Sequence, residues 1–284
     1  MSSVVFQKMT GSGNDFVVLD GRFNDPDRWA VERIRAICDR RDGLGADGLV
    51  FVTPEAEANV VRMTFFNSDG SRAAMCGNAA LCSTRLAARL EMADPAGMTL
   101  CTDADRYHTR CVGEGHLAEV HLTDTPVPVL AAIPAQAGER AILFATVGVP
   151  HLVTVVDDVA TVDLEGRGRQ LRHDPATGPA GANANFISRI SRSTGTSGGE
   201  FDQPTWAIRT FERGVEAETL ACGTGTVAAG LALAVLGEEQ LPLRFRSASG
   251  RVLRVQATLG ADGVAREVWL CGEGRLVARG VWDE

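Results

Sequence analysis

The segment at residues 223–236 is the strongest constraint on the fold, because it is apolar on every side. It contains only Gly, Thr, Val, Ala and Leu, and Gly237 is a natural helix stop directly after it. A helix without a polar face has to be buried all round, and this one is too short to span a bilayer. The sequence therefore predicts that other elements of the chain surround it.

Short strand patterns supply the surrounding layer. Several alternate apolar and polar residues, as in Val61-Arg62-Met63-Thr64-Phe65. Strands are predicted at residues 4–9, 16–19, 49–52, 61–66, 117–122, 141–147, 152–156, 205–211, 241–246, 252–257 and 266–270. Two more helices are predicted, at 27–40 and 77–90. Many strands with few helices predict an α+β fold in which a mixed sheet or barrel wraps a central helix in each half.

The two halves carry matching helix starts. A Cys-Gly pair followed by a polar residue begins the helix at 77–90, at Cys76, and begins the helix at 223–236, at Cys222. This weak internal repeat predicts two pseudo-symmetric domains. The boundary is expected in the Thr- and Pro-rich stretch 123–128.

The predicted N-terminal domain covers residues 1–123 and is joined by a C-terminal strand at 272–284. The C-terminal domain covers 124–271. Within it, the Ser-, Thr- and Gly-rich stretch 191–199 is predicted to be an exposed loop.

A cysteine at a helix N-terminus has unusual chemistry. A free thiol has a pKa of about 8.5, which the helix dipole lowers. The first backbone N–H groups have no partner within the helix and can hold a carboxylate. If Cys76 and Cys222 act on one substrate, a thiolate can remove the proton from the α-carbon of a bound amino acid while the other thiol protonates the opposite face. Such thiols carry one proton between them and titrate as a pair.

Composition excludes several other classes. Lys8 is the only lysine and lies in the first predicted strand, which argues against a pyridoxal phosphate enzyme. An odd number of cysteines, seven, with no visible signal peptide predicts free thiols and not a disulfide framework. No two of them are spaced as Cys-x-x-Cys, so a structural zinc is not expected. The net charge of −8 argues against nucleic-acid binding. Without a visible targeting or membrane segment, the expected location is the cytoplasm.

At these residues the sequence resembles the diaminopimelate epimerase family, and the resemblance runs through essentially the whole chain in order. The matching motifs are residues 8–16 (Lys-Met-Thr-Gly-Ser-Gly-Asn-Asp-Phe), 66–71 (Phe-Asn-Ser-Asp-Gly-Ser), 75–78 (Met-Cys-Gly-Asn), 148–151 (Gly-Val-Pro-His), 183–186 (Asn-Ala-Asn-Phe), 212–214 (Glu-Arg-Gly) and 218–225 (Glu-Thr-Leu-Ala-Cys-Gly-Thr-Gly). The resemblance implies conversion of LL- to meso-diaminopimelate, in lysine and peptidoglycan precursor biosynthesis. It also implies a homodimer that uses neither a cofactor nor a metal.

The resemblance also assigns roles to individual residues. Cys76 and Cys222 become the acid/base pair, and His151 and Glu212 tune their pKa values. The substrate-binding set is Asn14, Asn67, Gly77, Asn78, Asn183, Glu212, Arg213, Gly223 and Thr224. By contrast Asp15, Asp47 and Asp69, each beside Gly or Asn, are interpreted as turn formers.

The sequence departs from the family pattern at a few positions. Val149 stands where some members have a substrate-binding asparagine, and Gly48 stands where some have a glutamine. A related racemase of the proline racemase or hydroxyproline epimerase type therefore stays open, since those enzymes share the Cys-Gly-Thr-Gly-Thr element. Two other classes stay open as well: a binding protein of this fold without catalysis, and a thiol hydrolase that pairs one cysteine with His151.

Overall fold

The structure is a computed structural model, which describes residues 3–190 and 205–283. The loop predicted at 191–199 lies outside the described residues. The chain separates into two compact units, one formed by residues 1–121 with 271–284 and the other by residues 122–270. Mixed sheets with few helices make up both units, so the α+β prediction is confirmed.

The first unit is built around one mixed sheet. Its strands are β1 (Ser3–Gly11), β2 (Asn14–Asp20), β3 (Gly48–Pro54), β4 (Val60–Asn67), β5 (Arg72–Ala73), β6 (Met98–Cys101), β7 (Arg106–Val112), β8 (Leu117–Leu122) and, from the end of the chain, β19 (Arg275–Asp283). β1 pairs antiparallel with both β19 and β2. The parallel pairs are β2 with β3 and β4 with β6, and the remaining neighbours are antiparallel.

Two α-helices belong to this unit, α1 (Val31–Cys38) and α2 (Gly77–Arg89). The predicted helix at 27–40 is shorter than expected. A separate 3₁₀ turn, Pro26–Arg28, is capped by the side chain of Asp25, and Trp29 then adopts an extended conformation with φ −98° and ψ 107°. That residue interrupts the helical path, so the α-helix begins only at Val31.

The second unit contains the remaining strands and helices. Its strands are β9 (Thr125–Pro126), β10 (Val129–Leu130), β11 (Glu139–Val147), β12 (Val149–Val156), β13 (Asn183–Arg189), β14 (Trp206–Glu212), β15 (Ala217–Thr219), β16 (Leu243–Arg246), β17 (Val252–Leu259) and β18 (Val264–Glu273), which continues into the first unit. Its helices are α3 (Arg169–Arg172), which follows a π-helical turn at Leu164–Gly168, and α4 (Gly223–Val235).

The strand order of the second unit repeats that of the first. β11 and β12 are antiparallel, as β1 and β2 are, and β12 is parallel to β13, as β2 is to β3. β14 pairs antiparallel with β13 and β15 and parallel with β16, as β4 does with β3, β5 and β6. In each unit the long helix follows the short strand, so α2 and α4 are topological equivalents.

These two helices lie in the core of their units. Both contain 13 residues. In α2 every residue from Asn78 to Thr84 is buried, and in α4 every residue from Gly225 to Leu233 is buried. Burial of the middle of α4 on every side follows from its uniformly apolar sequence, whereas Val235, its last residue, is 40% exposed.

The second unit also contains a buried ion pair. Arg167 Nε and Nη2 each lie 2.8 Å from a carboxylate oxygen of Glu139, and both side chains are less than a tenth exposed. Arg167 donates further to Gln170 and to the Pro134 carbonyl. These contacts attach the short helical segment at 164–172 to β11.

None of the helices in the described part of the chain is long and apolar enough to cross a membrane. Within residues 3–190 and 205–283, no three His, Cys, Asp or Glu side chains are grouped in a way that would hold a metal ion.

Candidate active site

Cys76 occupies the N-cap position of α2. Its backbone is extended, with φ −144° and ψ 116°, and its carbonyl accepts the first helical hydrogen bond, from Ala80 N at 2.9 Å. Gly11 packs against the first turn so closely that a Cβ there would lie 2.4 Å from the Asn78 carbonyl oxygen. Residue 11 therefore has to be glycine for β1 to hold the start of the helix in place.

Cys222 has the same position on α4. Its backbone is extended at φ −120° and ψ 108°, and its carbonyl accepts from Thr226 N at 2.9 Å. The residue is 8% exposed and its sulfur lies 3.8 Å from Thr224 Oγ1. The two predicted cysteine motifs thus form the same local structure, one in each unit.

Both helix starts are electropositive. The first-turn residues are Gly-Asn-Ala-Ala in α2 and Gly-Thr-Gly-Thr in α4, and neither set contains an acidic residue. Among the described residues, no side chain caps either helix. The partial positive charge of the helix dipole is therefore available to a thiolate at the N-cap and to an anion bound at the first N–H groups.

Three other thiols have pKa values that burial raises. Burial raises the pKa of Cys38 to about 12 and raises the pKa of Cys82 well above its usual value. Burial also raises the pKa of Cys111. All seven cysteines are present as thiols. These three behave as small apolar residues at neutral pH.

Asn14 and Asn78, both of which are predicted to bind substrate, lie side by side. Asn78 Nδ2 lies 2.7 Å from Asn14 Oδ1, and Asn14 Nδ2 lies 2.9 Å from Asp47 Oδ2. Asn14 begins β2 and Asp47 precedes β3, so the parallel pairing of these strands holds the two side chains side by side.

The interpretation of Asp15 as a turn former is wrong. Asp15 lies within β2 and pairs with Lys8 at 2.6 Å, while Arg40 lies 2.8 Å from Asp15 and 2.7 Å from Asp47. Burial disfavours ionisation of Asp15, but the hydrogen bonds and charges of Arg40 and Lys8 hold its pKa below the usual value. By contrast Asp69 does stabilise a turn, because its carboxylate accepts from the Ser71 N–H and hydroxyl.

The remaining predicted amides are engaged locally. Asn67, at the end of β4, donates to Ser71 Oγ at 2.9 Å. Asn183, at the start of β13, accepts from the Arg213 backbone N–H at 2.7 Å. That bond fixes the turn after β14, which carries the guanidinium predicted to bind a carboxylate.

His151 is completely buried on β12. Its Nδ1 lies 3.3 Å from Asn185 Nδ2, and since the same amide group lies 2.9 Å from the Leu152 carbonyl, which can only accept, the group facing the ring is a donor. The ring is therefore neutral, with its proton on Nε2. Burial lowers the pKa of His151 to about 3, opposed by the Val147 carbonyl and reinforced by the charge of Arg213.

Glu212, at the end of β14, is shifted in the opposite direction. Burial raises the pKa of its carboxyl, and a hydrogen bond from Thr219 Oγ1, at 2.6 Å, partly offsets that effect. Thr219 ends β15, and Cys222 follows three positions later. Both residues predicted to tune the thiols thus belong to the unit that carries Cys222.

Asn185 is a site residue that the sequence-based assignment missed. A Cβ at Gly225, in the first turn of α4, would lie 2.2 Å from Asn185 Oδ1 and 3.1 Å from the Cys222 sulfur. Asn185 therefore connects His151 to the beginning of this helix. Its two-residue spacing from Asn183 was the available signal, because residues i and i+2 of a strand share one face.

One departure from the family pattern has a steric explanation. A Cβ at Gly48 would lie 2.5 Å from the Phe65 ring and 2.5 Å from the Phe66 carbonyl oxygen. The packing of this chain therefore has no room for a longer side chain at position 48.

Comparison with known proteins identifies the family of this chain. The family model for diaminopimelate epimerase matches residues 6–127 and 143–262. The chain belongs to the diaminopimelate epimerase family. It is an isomerase by that membership. A diaminopimelate epimerase of Gemmatimonas aurantiaca is 44% identical over 97% of this chain and 98% of its own, and one of Chlorobaculum tepidum is 37% identical over 96% and 98%.

Solved structures share the fold of this family at low identity. A phenazine biosynthesis protein of the PhzF family from Bacillus anthracis matches with a TM-score of 0.74 and 14% identity over all of both chains. A probable proline racemase from Agrobacterium radiobacter matches with a TM-score of 0.62 and 15% identity, over 99% of this chain and 92% of its own. At such identities the likeness shows the fold alone.

Proposed function

We propose that this protein converts LL-2,6-diaminopimelate to meso-diaminopimelate without a cofactor, with Cys76 and Cys222 as the acid/base pair. The observation that carries the proposal is the matched position of these thiols, each at the N-cap of a buried 13-residue helix with no acidic residue in its first turn. A single-cysteine hydrolase needs only one such thiol, and a binding protein needs neither.

The proposed reaction moves one proton in and one proton out. The thiolate of one cysteine takes the α-proton as the Cα–H electron pair spreads toward the α-carboxylate. The thiol of the other cysteine delivers its proton to the opposite face of the α-carbon. The carboxylate, held by the first N–H groups of the helices, is stabilised as charge develops on it. After each turnover the two cysteines have exchanged protonation states.

Glu212 is proposed to tune the thiols, whereas His151 is proposed to act on Cys222 only through Asn185, which lies against the first turn of α4. Because His151 is neutral, it contributes no positive charge to a thiolate, and the helix dipole remains the main source of stabilisation. Glu212, whose pKa is raised by burial, holds a proton more readily than an exposed glutamate does.

The substrate carries an amino acid at both ends, and the proposed binding set supplies groups for each. Gly77, Asn78, Gly223 and Thr224 offer helix-terminal N–H groups for the reacting carboxylate. Arg213 suits a second carboxylate. The remaining proposed contacts, which can accept from or donate to the distal end, are Asn14, Asn67, Asn183 and Glu212.

Proton exchange at the α-carbon tests this proposal directly. Reduced protein is incubated with LL-diaminopimelate in D₂O without added cofactor, and deuterium content and stereochemistry are followed by NMR. We expect inversion with deuterium incorporation, lost by about 100-fold or more in Cys76→Ala and in Cys222→Ala. Cys82→Ala, which removes a buried thiol six positions after Cys76, is the matched control and should stay active.

Two results would contradict the proposal. Activity that survives either Cys→Ala change would exclude a two-thiol mechanism. Exchange with proline but not with diaminopimelate would assign the protein to the racemase alternative. That alternative is open because Val149 stands where some family members have a substrate-binding asparagine.

We also propose a cytoplasmic homodimer. The dimer is supported by family resemblance and by exposed apolar side chains on paired strands of the first unit, where Val5 lies opposite Val281 and the two are 60% and 57% exposed. Analytical ultracentrifugation tests this point, since a Val281→Lys variant should shift the protein toward the monomer. An unchanged dimer would place the interface elsewhere.

A further inference from the structure

Three side chains in the first unit form a chain of hydrogen bonds whose direction is fixed by chemistry. A carboxylate only accepts, so the group of Asn14 that lies 2.9 Å from Asp47 Oδ2 has to be its NH₂. The Asn14 oxygen then faces Asn78 at 2.7 Å, and the group of Asn78 that meets it has to be an NH₂ as well. We call Asp47, Asn14 and Asn78 the amide relay.

The relay leaves one group without a partner. The Oδ1 atom of Asn78 is buried and accepts no hydrogen bond from any described residue. The residue as a whole is only 4% exposed. A buried carbonyl oxygen without a donor is costly. Asn78 is also the second residue of α2, whose backbone N–H is proposed to hold the carboxylate. The unpartnered acceptor therefore belongs to the residue beside the reacting group.

The fold itself does not require this arrangement. The strand registers place His151 opposite Asn183 in the second unit as they place Phe16 opposite Gly48 in the first. By this correspondence the positions equivalent to the relay residues are Val149 for Asn14, Ala182 for Asp47 and, on α4, Thr224 for Asn78. The second unit builds the same strands and helix without the relay, so this topology can form without it.

Charged side chains outside the relay hold the Asp47 carboxylate in place. Arg40 bridges Asp47 and Asp15, and Lys8 holds Asp15 together with the carbonyl of Gly45. We call Lys8, Asp15 and Arg40 the clamp. The Asp47 carboxylate gives the relay its direction because it can only accept. A carboxamide at this position would allow the side-chain amides of both asparagines to flip, which exchanges the positions of their oxygen and NH₂ groups.

We infer that Asp47 is a positioning residue. Acting through Asn14, it orients the Asn78 carbonyl oxygen to accept a hydrogen bond from a substrate ammonium group, beside the N–H groups that bind the carboxylate. This inference rests on the proposed function and deepens it. It assigns recognition of an amino group to the first unit and predicts that the second unit, with Val149 and Ala182, lacks the equivalent.

The test compares two ligands that differ only in their amino groups. Dissociation constants for LL-diaminopimelate and for pimelate, the same dicarboxylate without amines, are measured by calorimetry on the wild-type protein and on Asp47→Asn. We expect Asp47→Asn to raise the dissociation constant for diaminopimelate by about 10-fold or more and that for pimelate by less than about twofold. In steady-state kinetics the loss should fall on KM, with kcat little changed, since the helix that carries Cys76 is not displaced.

Two further variants separate the relay from stability. Asp15→Asn breaks the ion pairs of the clamp but leaves the relay contacts. It should therefore lower the midpoint of thermal unfolding without changing the ratio of the dissociation constants for diaminopimelate and pimelate. The double variant Asn14→Asp, Asp47→Asn returns a carboxylate to the relay, which again forces Asn78 to donate its NH₂. It should bind diaminopimelate more tightly than the product of the two single losses predicts.

The inference would be overturned by equal weakening of both ligands in Asp47→Asn, by no weakening of either, or by purely additive losses in the double variant. Failure of the proposed function gives a different result, because wild-type protein would then show no α-proton exchange with diaminopimelate. Exchange in the wild type together with an unchanged ligand ratio in Asp47→Asn refutes the role of Asp47 alone.

Discussion

His151 makes a specific contribution to the pH dependence of stability. In the folded protein its ring is completely buried and its pKa is lowered to about 3, whereas an unfolded chain has a histidine pKa of about 6.5. Between these values the unfolded state binds a proton that the folded state does not. The free energy of unfolding therefore falls as the pH falls from about 6.5 toward 3, at up to about 1.4 kcal/mol per pH unit.

The replacement His151→Asn removes this titration and keeps an acceptor for the Asn185 amide. At pH 5 the lowered pKa corresponds to about 2 kcal/mol of stability lost relative to pH 8. We expect urea unfolding, followed by tryptophan fluorescence, to give wild-type and variant curves whose difference changes by that amount between pH 8 and pH 5. The variant is the less pH-sensitive of the two.

His116→Asn, which removes an exposed histidine, controls for the loss of one imidazole from the chain. Curves for wild type and His151→Asn that stay parallel from pH 8 to pH 5 would refute the reasoning, because His151 would then take up its proton equally in the folded and unfolded states.

Three further outcomes follow from single contacts. Arg167→Met leaves the carboxylate of a buried ion pair uncompensated, so urea unfolding should show a loss of about 3–5 kcal/mol. Gly225→Ala places a Cβ 2.2 Å from Asn185 Oδ1 and displaces the start of α4, so kcat/KM for diaminopimelate should fall by up to about 100-fold in steady-state assays. Thr219→Val removes the hydrogen bond that lowers the pKa of Glu212, so that pKa rises further and the acid limb of the kcat/KM profile should move to higher pH.

Each of these has a matched control. Arg169→Met breaks an exposed ion pair with Glu165 and should change stability little; a comparable loss in both variants would contradict the importance of burial. Gly115→Ala adds a methyl group in open space and should leave kcat/KM unchanged. Thr219→Ser keeps the hydroxyl, so an acid limb that moves equally in the Ser and Val variants would exclude the hydrogen bond as the cause.

The sequence alone was sufficient for the features that depend on local pattern. The apolar stretch at 223–236 could only be a buried helix, and the Cys-Gly pairs could be recognised as helix starts because glycine and the following small residues are adjacent in sequence. Both helices begin where they were predicted, at Gly77 and Gly223. The family assignment followed from several motifs in a fixed order.

Features that depend on distant partners could not be predicted. β13 was missed because its buried positions include Asn183 and Asn185, so it shows no apolar alternation. Distant partners make these amides acceptable in a core: Asn183 accepts from the Arg213 backbone N–H, while Asn185 donates to the Leu152 carbonyl and accepts from Thr210 Oγ1. Asp15 looked like a turn former because its partner Arg40 is distant in the sequence. Local spacing carries no information about such pairs.

The pairing of β19 with β1 has a consequence for how the chain matures. Ser3 lies opposite Asp283, and the ladder continues to Thr10 opposite Arg275, so one side of β1 stays open until the last strand has been synthesised. The second unit, in contrast, is contiguous in sequence and can close as it leaves the ribosome. The unit that emerges first is therefore the last to be completed, and in the meantime its open strand edge is a site at which nascent chains can pair with one another.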